Sequence, residues 1–481
     1  MANLKTLLKD SAVYGMSSIV GKFLNYLLVP LYTAQMSAES GGYGVITNIY
    51  SWVALLMIVL TFGMETTMFH FAGKREDPVE KIFSTALIFV GSLATLFVVF
   101  VLLFIDPVAA FFHYADTPQY IWVMALIVGI DAVRALPFAY MRQQKQAWRF
   151  ATLQLVNIGV SILLNIIYYK GFNGTDPGYA FYINLVCSAV MLLCVWRELS
   201  LVRHGVSLRL LRPMVRYAWP VMLMGAAGIL NQVADKILFP FIYEGSDQME
   251  QLSIYGAVAK IAMIMAMILQ AFRYAYEPFI LGKTRDKDND ETQAQTMKFY
   301  VIFTLLAFLC VVGWLDVLKY FLRQPEYWQG LFVVPIIMAA EIMYGIYFNL
   351  SIWYKQSGKT IWGVVFAAAG CVVLLAVNII FVPRYGYEAC AWGGVAGYGT
   401  AMLTSYVVGQ RVHPIAYPLR DIFVYVLATA ILFAAMHYSQ PHLPQWASLA
   451  VNTLLIVLFL TVIVKRDMPL SSLPYIGKYF K

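Results

Sequence analysis

Charge is what this chain has least of. Asp, Glu, Lys and Arg make up 12% of 481 residues, against 61% hydrophobic ones, and the mean hydropathy is +0.69. Soluble domains carry about 25% charged residues, so this balance excludes a soluble globular protein. Cysteine is scarce too. Cys187, Cys194, Cys310, Cys371 and Cys390 all lie in apolar segments and form no CxxC pair. That excludes a disulfide framework and a cysteine zinc site. The six histidines show no HExxH spacing and no cluster; His70 is the one candidate titrating group among them. Gly358-Lys359-Thr360 resembles the end of a phosphate-binding loop, but Trp353 stands where its first glycine is required. ATP hydrolysis is therefore not expected, nor any metal site or cofactor. No Ser-His-Asp or paired-carboxylate arrangement appears. The loops assigned below to the outer side are short, which argues against a membrane-embedded glycosyltransferase or polymerase.

Long apolar runs are there in abundance. A spanning helix needs about 20 mostly apolar residues, and fourteen segments qualify. The first is Ala12–Gln35, expected to be retained as a span. The second, Tyr43–Ala72, and the eighth, Leu252–Leu281, are unusually long. The sixth is Tyr179–Trp196, the seventh Tyr217–Phe241 and the twelfth Ala389–Val408; Ile422–Met436 and Trp446–Val464 close the series. The expected class is an all-α integral membrane protein.

Lys and Arg set the orientation. With the N-terminus inside, 25 of the 34 fall in inner segments, and only Lys170, Lys319, Arg323 and Arg384 in outer ones. This distribution, rather than nucleic-acid binding, explains the net charge of +8. An even number of spans returns the C-terminus to the inside. The connection Glu198–Arg216 is the longest basic one. It reads either as a linker or as an amphipathic segment along the inner surface.

Several charges fall inside spans, where each costs roughly 2.5–3.5 kcal/mol near the bilayer centre on insertion scales. They are Lys22, Glu65, Asp235, Lys236, Lys260, Arg273 and Glu277, together with Asp131, Arg134 and Glu341. Asp131 and Arg134, spaced i,i+3, read as a structural pair; Arg273 and Glu277, spaced i,i+4, share a helix face.

The stretch Tyr217–Leu281 echoes the N-terminal one. Aligning Pro240 with Pro30 sets Leu238 on Leu28, Ile229 on Ile19 and Gly225 on Gly15. Two residues out of that register, Tyr255-Gly256 falls on Tyr43-Gly44 and Glu277 on Glu65. Arg142-Gln143 against Lys355-Gln356 brings Asn165-Ile166-Ile167 onto Asn378-Ile379-Ile380. Spans one, two and five thus echo seven, eight and eleven, which predicts two parallel six-helix lobes. The expected divisions are 1–205 for the first lobe, 206–412 for the second, and 413–481 for spans thirteen and fourteen with a cytoplasmic tail. Gly393 and Gly397 form a small-xxx-small spacing suited to helix packing.

Two lobes of six spans, with Tyr-Gly following span one, resemble the multidrug/oligosaccharidyl-lipid/polysaccharide exporter superfamily. Tyr385-Gly386-Tyr387-Glu388-Ala389-Cys390-Ala391 resembles the turn into span twelve of its polysaccharide flippases, and the fourteen-span total resembles that branch and the lipid II flippases. The resemblance implies movement of a polyprenyl-diphosphate-linked oligosaccharide across a bacterial inner membrane, for O-antigen or another surface polysaccharide. It also implies glycan polymerase or ligase machinery as partners, and a central cavity lined by spans one, two, seven and eight. Lys22, Lys236, Lys260 and Arg273 are then the candidate diphosphate partners. Glu65, Asp235 and Glu277 are candidate ion-coupling groups, for H+ or Na+, or counter-ions to those cations. The alternative within the superfamily is a cation-coupled drug antiporter. Its cavity should be net acidic; here four cations face three acids.

Overall fold

The computed structural model describes residues 20–467, apart from 22, 25, 75, 282–286, 358 and 360; the side chains of 274, 275, 277–281 and 287–289 also lie outside the description. The described residues are almost entirely helical and contain no strand. Among the described residues, eleven helices are long and apolar enough to cross a membrane. A twelfth candidate is the pair Gly178–Cys194 and Trp196–His204, bent by 61°. The expected count of fourteen is not reached, for two local reasons. The first span begins outside the described residues, leaving Leu28–Gln35 (α1) as its helical end. The twelfth forms a 26-residue helix, Tyr387–Val412, but five glycines and its hydroxyl groups dilute its apolar character.

The chain forms two compact units, residues 1–257 with 378–387, and residues 258–377 with 388–481. In the first unit, the long second span is two helices, Gly42–Thr61 (α2) and Met64–Lys74 (α3). Phe62 (φ 52°) and Gly63 (φ 68°) are both left-handed and break the helix between them. The break presses on Leu208–Ile242 (α4 here). A Cβ at Gly63 would stand 3.0 Å from the Ala218 carbonyl oxygen and 3.2 Å from the Met222 nitrogen. Helix α4 holds Pro213, Pro220 and Pro240 in its interior. Each proline leaves the carbonyl one turn back without its helical donor.

The basic connection is also resolved into parts. Its second half, from Leu208, is the start of α4, and only a short turn remains. That turn is pinned to the first turns of the helix Val79–Leu103. The Ser84 hydroxyl donates to the carbonyls of Val202 (3.2 Å) and Gly205 (2.9 Å), and the Ser207 N–H donates to Thr85 Oγ1 (3.2 Å). The two terminal guanidinium nitrogens of Arg149 donate to the two carboxylate oxygens of buried Glu198, at 2.5 and 3.0 Å. The turn is thus packed on the protein, while Arg197, Arg203, Arg209, Arg212 and Arg216 stay exposed.

In the second unit, Gly370 and Gly397 face each other. A Cβ on Gly370 would lie 2.7 Å from the Gly397 carbonyl oxygen, and one on Gly397 2.9 Å from that of Gly370. Gly397, the second residue of the small-xxx-small pair, thus lets two backbones come together, as membrane helices commonly do. The helices Leu419–Ser439 and Gln445–Arg466 are fastened to Lys287–Gly313 by charge. Buried Lys298 donates to Asp467 (2.5 Å) and Asp421 (2.9 Å), and the Tyr425 hydroxyl donates to Asp467 (2.5 Å). Arg466 pairs with Asp421 as well. Removing one partner of a buried ion pair strands the other, at a cost of about 3 kcal/mol. Lys298→Met is therefore expected to lower the melting temperature of the purified protein clearly. An unchanged melting temperature would show that this cluster does not hold the last two helices.

Candidate functional site

The two Tyr-Gly pairs of the repeat meet in space. Gly44 lies at the start of α2, and Gly256 in the first third of Gln248–Leu281 (α5). The Gly44 N–H donates to Ser253 Oγ at 2.7 Å. A Cβ on Gly44 would sit 2.2 Å from the Met249 carbonyl oxygen, and one on Gly256 2.3 Å from Thr47 Oγ1. Neither leaves room for a side chain. The helices therefore cross with backbones nearly touching, and glycine at each copy of the motif permits it.

Around this crossing lies a polar network. The Tyr255 hydroxyl donates to Asp235 Oδ2 at 2.5 Å, and the Lys236 ammonium donates to both Asp235 oxygens at 2.9 and 3.0 Å. Lys236 Nζ also lies 5.1 Å from the Tyr255 ring centroid, a cation–π placement. Asn48 Nδ2 donates to the Lys236 carbonyl (2.8 Å) and takes the buried Tyr114 hydroxyl on its Oδ1 (3.1 Å). Asp235 and Lys236 precede the end of α4 by six or seven residues, about 10 Å at 1.5 Å per residue. The pair is thus near a helix end, joined to residues of α2 and α5.

Glu65 lies elsewhere. It opens α3 directly after the left-handed break and pairs with Arg142 at 2.7 Å, while the Arg142 guanidinium stands 5.4 Å from the Phe69 ring centroid. Its partner is thus a residue assigned by sequence to an inner loop, and none of the four candidate cations. Side-chain exposures of 35% and 38% leave this ion pair only partly buried, and a pair so placed is worth about 1 kcal/mol. Glu65→Gln should leave the melting temperature nearly unchanged; a large drop would give the pair a structural role. Asp131 and Arg134 form their i,i+3 pair at 3.0 Å, as their spacing predicts.

In the second unit, Arg273 lies toward the C-terminal end of α5, its guanidinium 4.6 Å from the Phe348 ring centroid. Lys355 Nζ approaches the same ring, also at 4.6 Å. Tyr344 has both Arg273 and Glu341 among its charged neighbours. One aromatic side chain thus gathers two cations, a constellation that suits an anion with several oxygens. Lys260 is half-buried near the middle of α5. Glu277 lies on α5 four residues beyond Arg273, with its side chain outside the described residues, and Lys22 is outside them altogether.

Sequence reasoning missed Lys355, Phe348, Tyr255, Asn48 and Tyr114. A signal for Lys355 was present, because the repeat sets it on Arg142. The Tyr-Gly alignment sets Arg273 on Thr61, so the first copy has no cation at that position.

Apolar helices long enough to span, charges held within them and a crossing built from two copies of one motif mark an α-helical integral membrane protein with an internal repeat. Residues 7–280, more than half the chain, match the family model described as "Polysaccharide biosynthesis protein". The chain belongs to that family. Its fold is similar to that of the lipid II flippase MurJ in an inward closed conformation, with a TM-score of 0.74 at 13% identity, over 94% of this chain and 98% of that one. It is also similar to an inward-facing multidrug resistance MATE transporter (TM-score 0.66, 14% identity, 81% and 94% covered) and to MATE in the straight conformation (0.54, 14%, 85% and 95%). A comparison with curated proteins finds no match.

Proposed function

We propose that this protein moves a polyprenyl-diphosphate-linked oligosaccharide from the inner to the outer leaflet of a bacterial inner membrane, for surface polysaccharide synthesis. The observation that carries the reading is the pair Arg273 and Lys355 on Phe348. With the N-terminus inside, as the basic loops favour, α5 runs inward and this pair lies toward the inner face. That is where a lipid diphosphate would enter. Arg contacts phosphate oxygens bidentately and Lys as a point charge. The polyprenyl tail stays in lipid while the sugars need a wet path.

In the same orientation the Gly44–Gly256 crossing and its Asp235–Lys236–Tyr255 network lie toward the outer face, as an outer gate. Transport by alternating access separates the two helices there. In this scheme Lys236 serves the gate, Arg273 and Lys355 hold the diphosphate, and Lys260 and Lys22 are further candidate partners for it. Glu65, Asp235 and Glu277 are the groups through which an H+ or Na+ gradient would act. The second reading, a drug antiporter, has the MATE likeness in its favour; a cluster with two cations suits a cationic drug poorly. Undecaprenyl diphosphate is the direct probe. It should raise the melting temperature of the wild-type protein and not of Arg273→Ala. Equal shifts in both would remove Arg273 from the site.

A further inference from the structure

Of the three cavities described, one is walled entirely by apolar side chains and another almost entirely, as befits lipid-facing grooves. The third, of about 380 Å³, differs. It lies among three turns, 36–41, 112–117 and 172–177, at the helix ends where Gly44 and Gly256 cross. Its wall includes Tyr114, Asp116, Thr117, Tyr120, His113 and Met249. Met249 ties it to the crossing, because the Met249 carbonyl is the atom that Gly44 packs upon.

The two phenols are fixed through their oxygens. Tyr114 donates to Asn48 Oδ1 (3.1 Å) and Tyr120 to Asp176 Oδ1 (3.0 Å), which also accepts the Gly178 N–H (2.7 Å). Their rings stand edge to face, with centroids 6.3 Å apart. The partly exposed Tyr120 ring, backed by buried Tyr114, an exposed carboxylate at Asp116 and a hydroxyl at Thr117 form a particular combination. It matches a molecule with apolar C–H faces and rows of donor hydroxyls, which is a sugar. The volume is within the roughly 300–1,000 Å³ of small-molecule sites. Walls ordered before binding limit the entropy lost on binding.

We infer that this cavity is a carbohydrate subsite that receives the glycan of the substrate as it emerges past the Gly44–Gly256 crossing. The inference rests on the flippase reading for the reason a glycan arrives there; the sugar-binding chemistry is local.

The test separates the two. The probe is the oligosaccharide released by mild acid from the host's own lipid-linked pool, free of lipid. Its binding to the purified full-length protein is followed by saturation-transfer NMR, and flipping is assayed in parallel. Transfer to sugar protons is expected with wild type. Asp116→Ala, at an exposed position that does not put folding at risk, should weaken binding about tenfold, the loss of a hydrogen bond to a charged acceptor. Tyr120→Ala should do the same, and Tyr120→Phe, which keeps the ring, less. Arg273→Ala should leave glycan binding intact. No transfer with wild type while flipping proceeds, or binding indifferent to Asp116 and Tyr120, overturns the subsite and leaves the flippase reading standing. Binding through these residues without any flipping overturns the flippase reading and leaves the subsite.

Discussion

Arg273→Ala and Lys355→Ala are each expected to slow flipping of a lipid-linked oligosaccharide by tenfold or more, with the protein still folded and inserted. A hydrogen bond to a charged group is worth about 1.5–3 kcal/mol, and 1.4 kcal/mol is a factor of ten. Both side chains approach one ring, Phe348, so both would serve one diphosphate. The double variant should therefore lose less than the product of the single losses. Arg273→Lys keeps the charge but loses the planar fork, and should recover only part of the rate. Rates from reconstituted vesicles, normalised to inserted protein, check this. Wild-type rates in both alanine variants would detach the cation cluster from transport.

Gly44→Val and Gly256→Val are expected to prop the crossing open. A Cβ alone would lie 2.2 Å from the Met249 carbonyl oxygen in one case and 2.3 Å from Thr47 Oγ1 in the other. Overpacking of this kind costs about 1–3 kcal/mol, enough to shift a closed-to-open balance tenfold or more. Ser51 is buried one helical turn below Thr47, so a cysteine there reports the opening. In a cysteine-free background carrying Ser51→Cys, a membrane-impermeant maleimide should label either valine variant about ten times faster. Gly73→Val is the control, since nothing lies within 4 Å of a Cβ there. Equal labelling in all three would mean the crossing is not a gate.

Much of this was legible in the sequence, and for physical reasons. Apolar runs long enough to span are set by bilayer thickness, so most of the helices fall where the runs lie. The Tyr-Gly repeat was readable as well, because a close helix crossing tolerates only glycine. Its consequence, that one copy packs against the other, was not, since a repeat does not say which elements touch. The break in the second span was hidden for a different reason. Phe62-Gly63 sits in an apolar run that looks continuous, and the left-handed turn is decided by the approach of Ala218 and Met222 from another helix. Charge partners were the least legible. Glu65 finds Arg142, 77 residues away, where the spacing offered only the span charges. Lys298 and Asp467, 169 residues apart, form a buried pair that no spacing in the sequence announces. The two copies have also diverged. Asn165 accepts the Tyr32 hydroxyl at 2.8 Å, whereas its counterpart Asn378, buried as deeply, has no hydrogen-bond partner among the described residues.

Flipping by the purified protein is the measurement that bears most directly on the whole reading. Proteoliposomes would be loaded with fluorescent undecaprenyl-diphosphate oligosaccharide, and its exposure to an external quencher followed with and without the protein. Protein-dependent flipping, lost in Arg273→Ala, is the expected result. No flipping of the lipid-linked glycan, together with proton- or sodium-driven movement of a cationic dye, would contradict it and make this chain a drug antiporter.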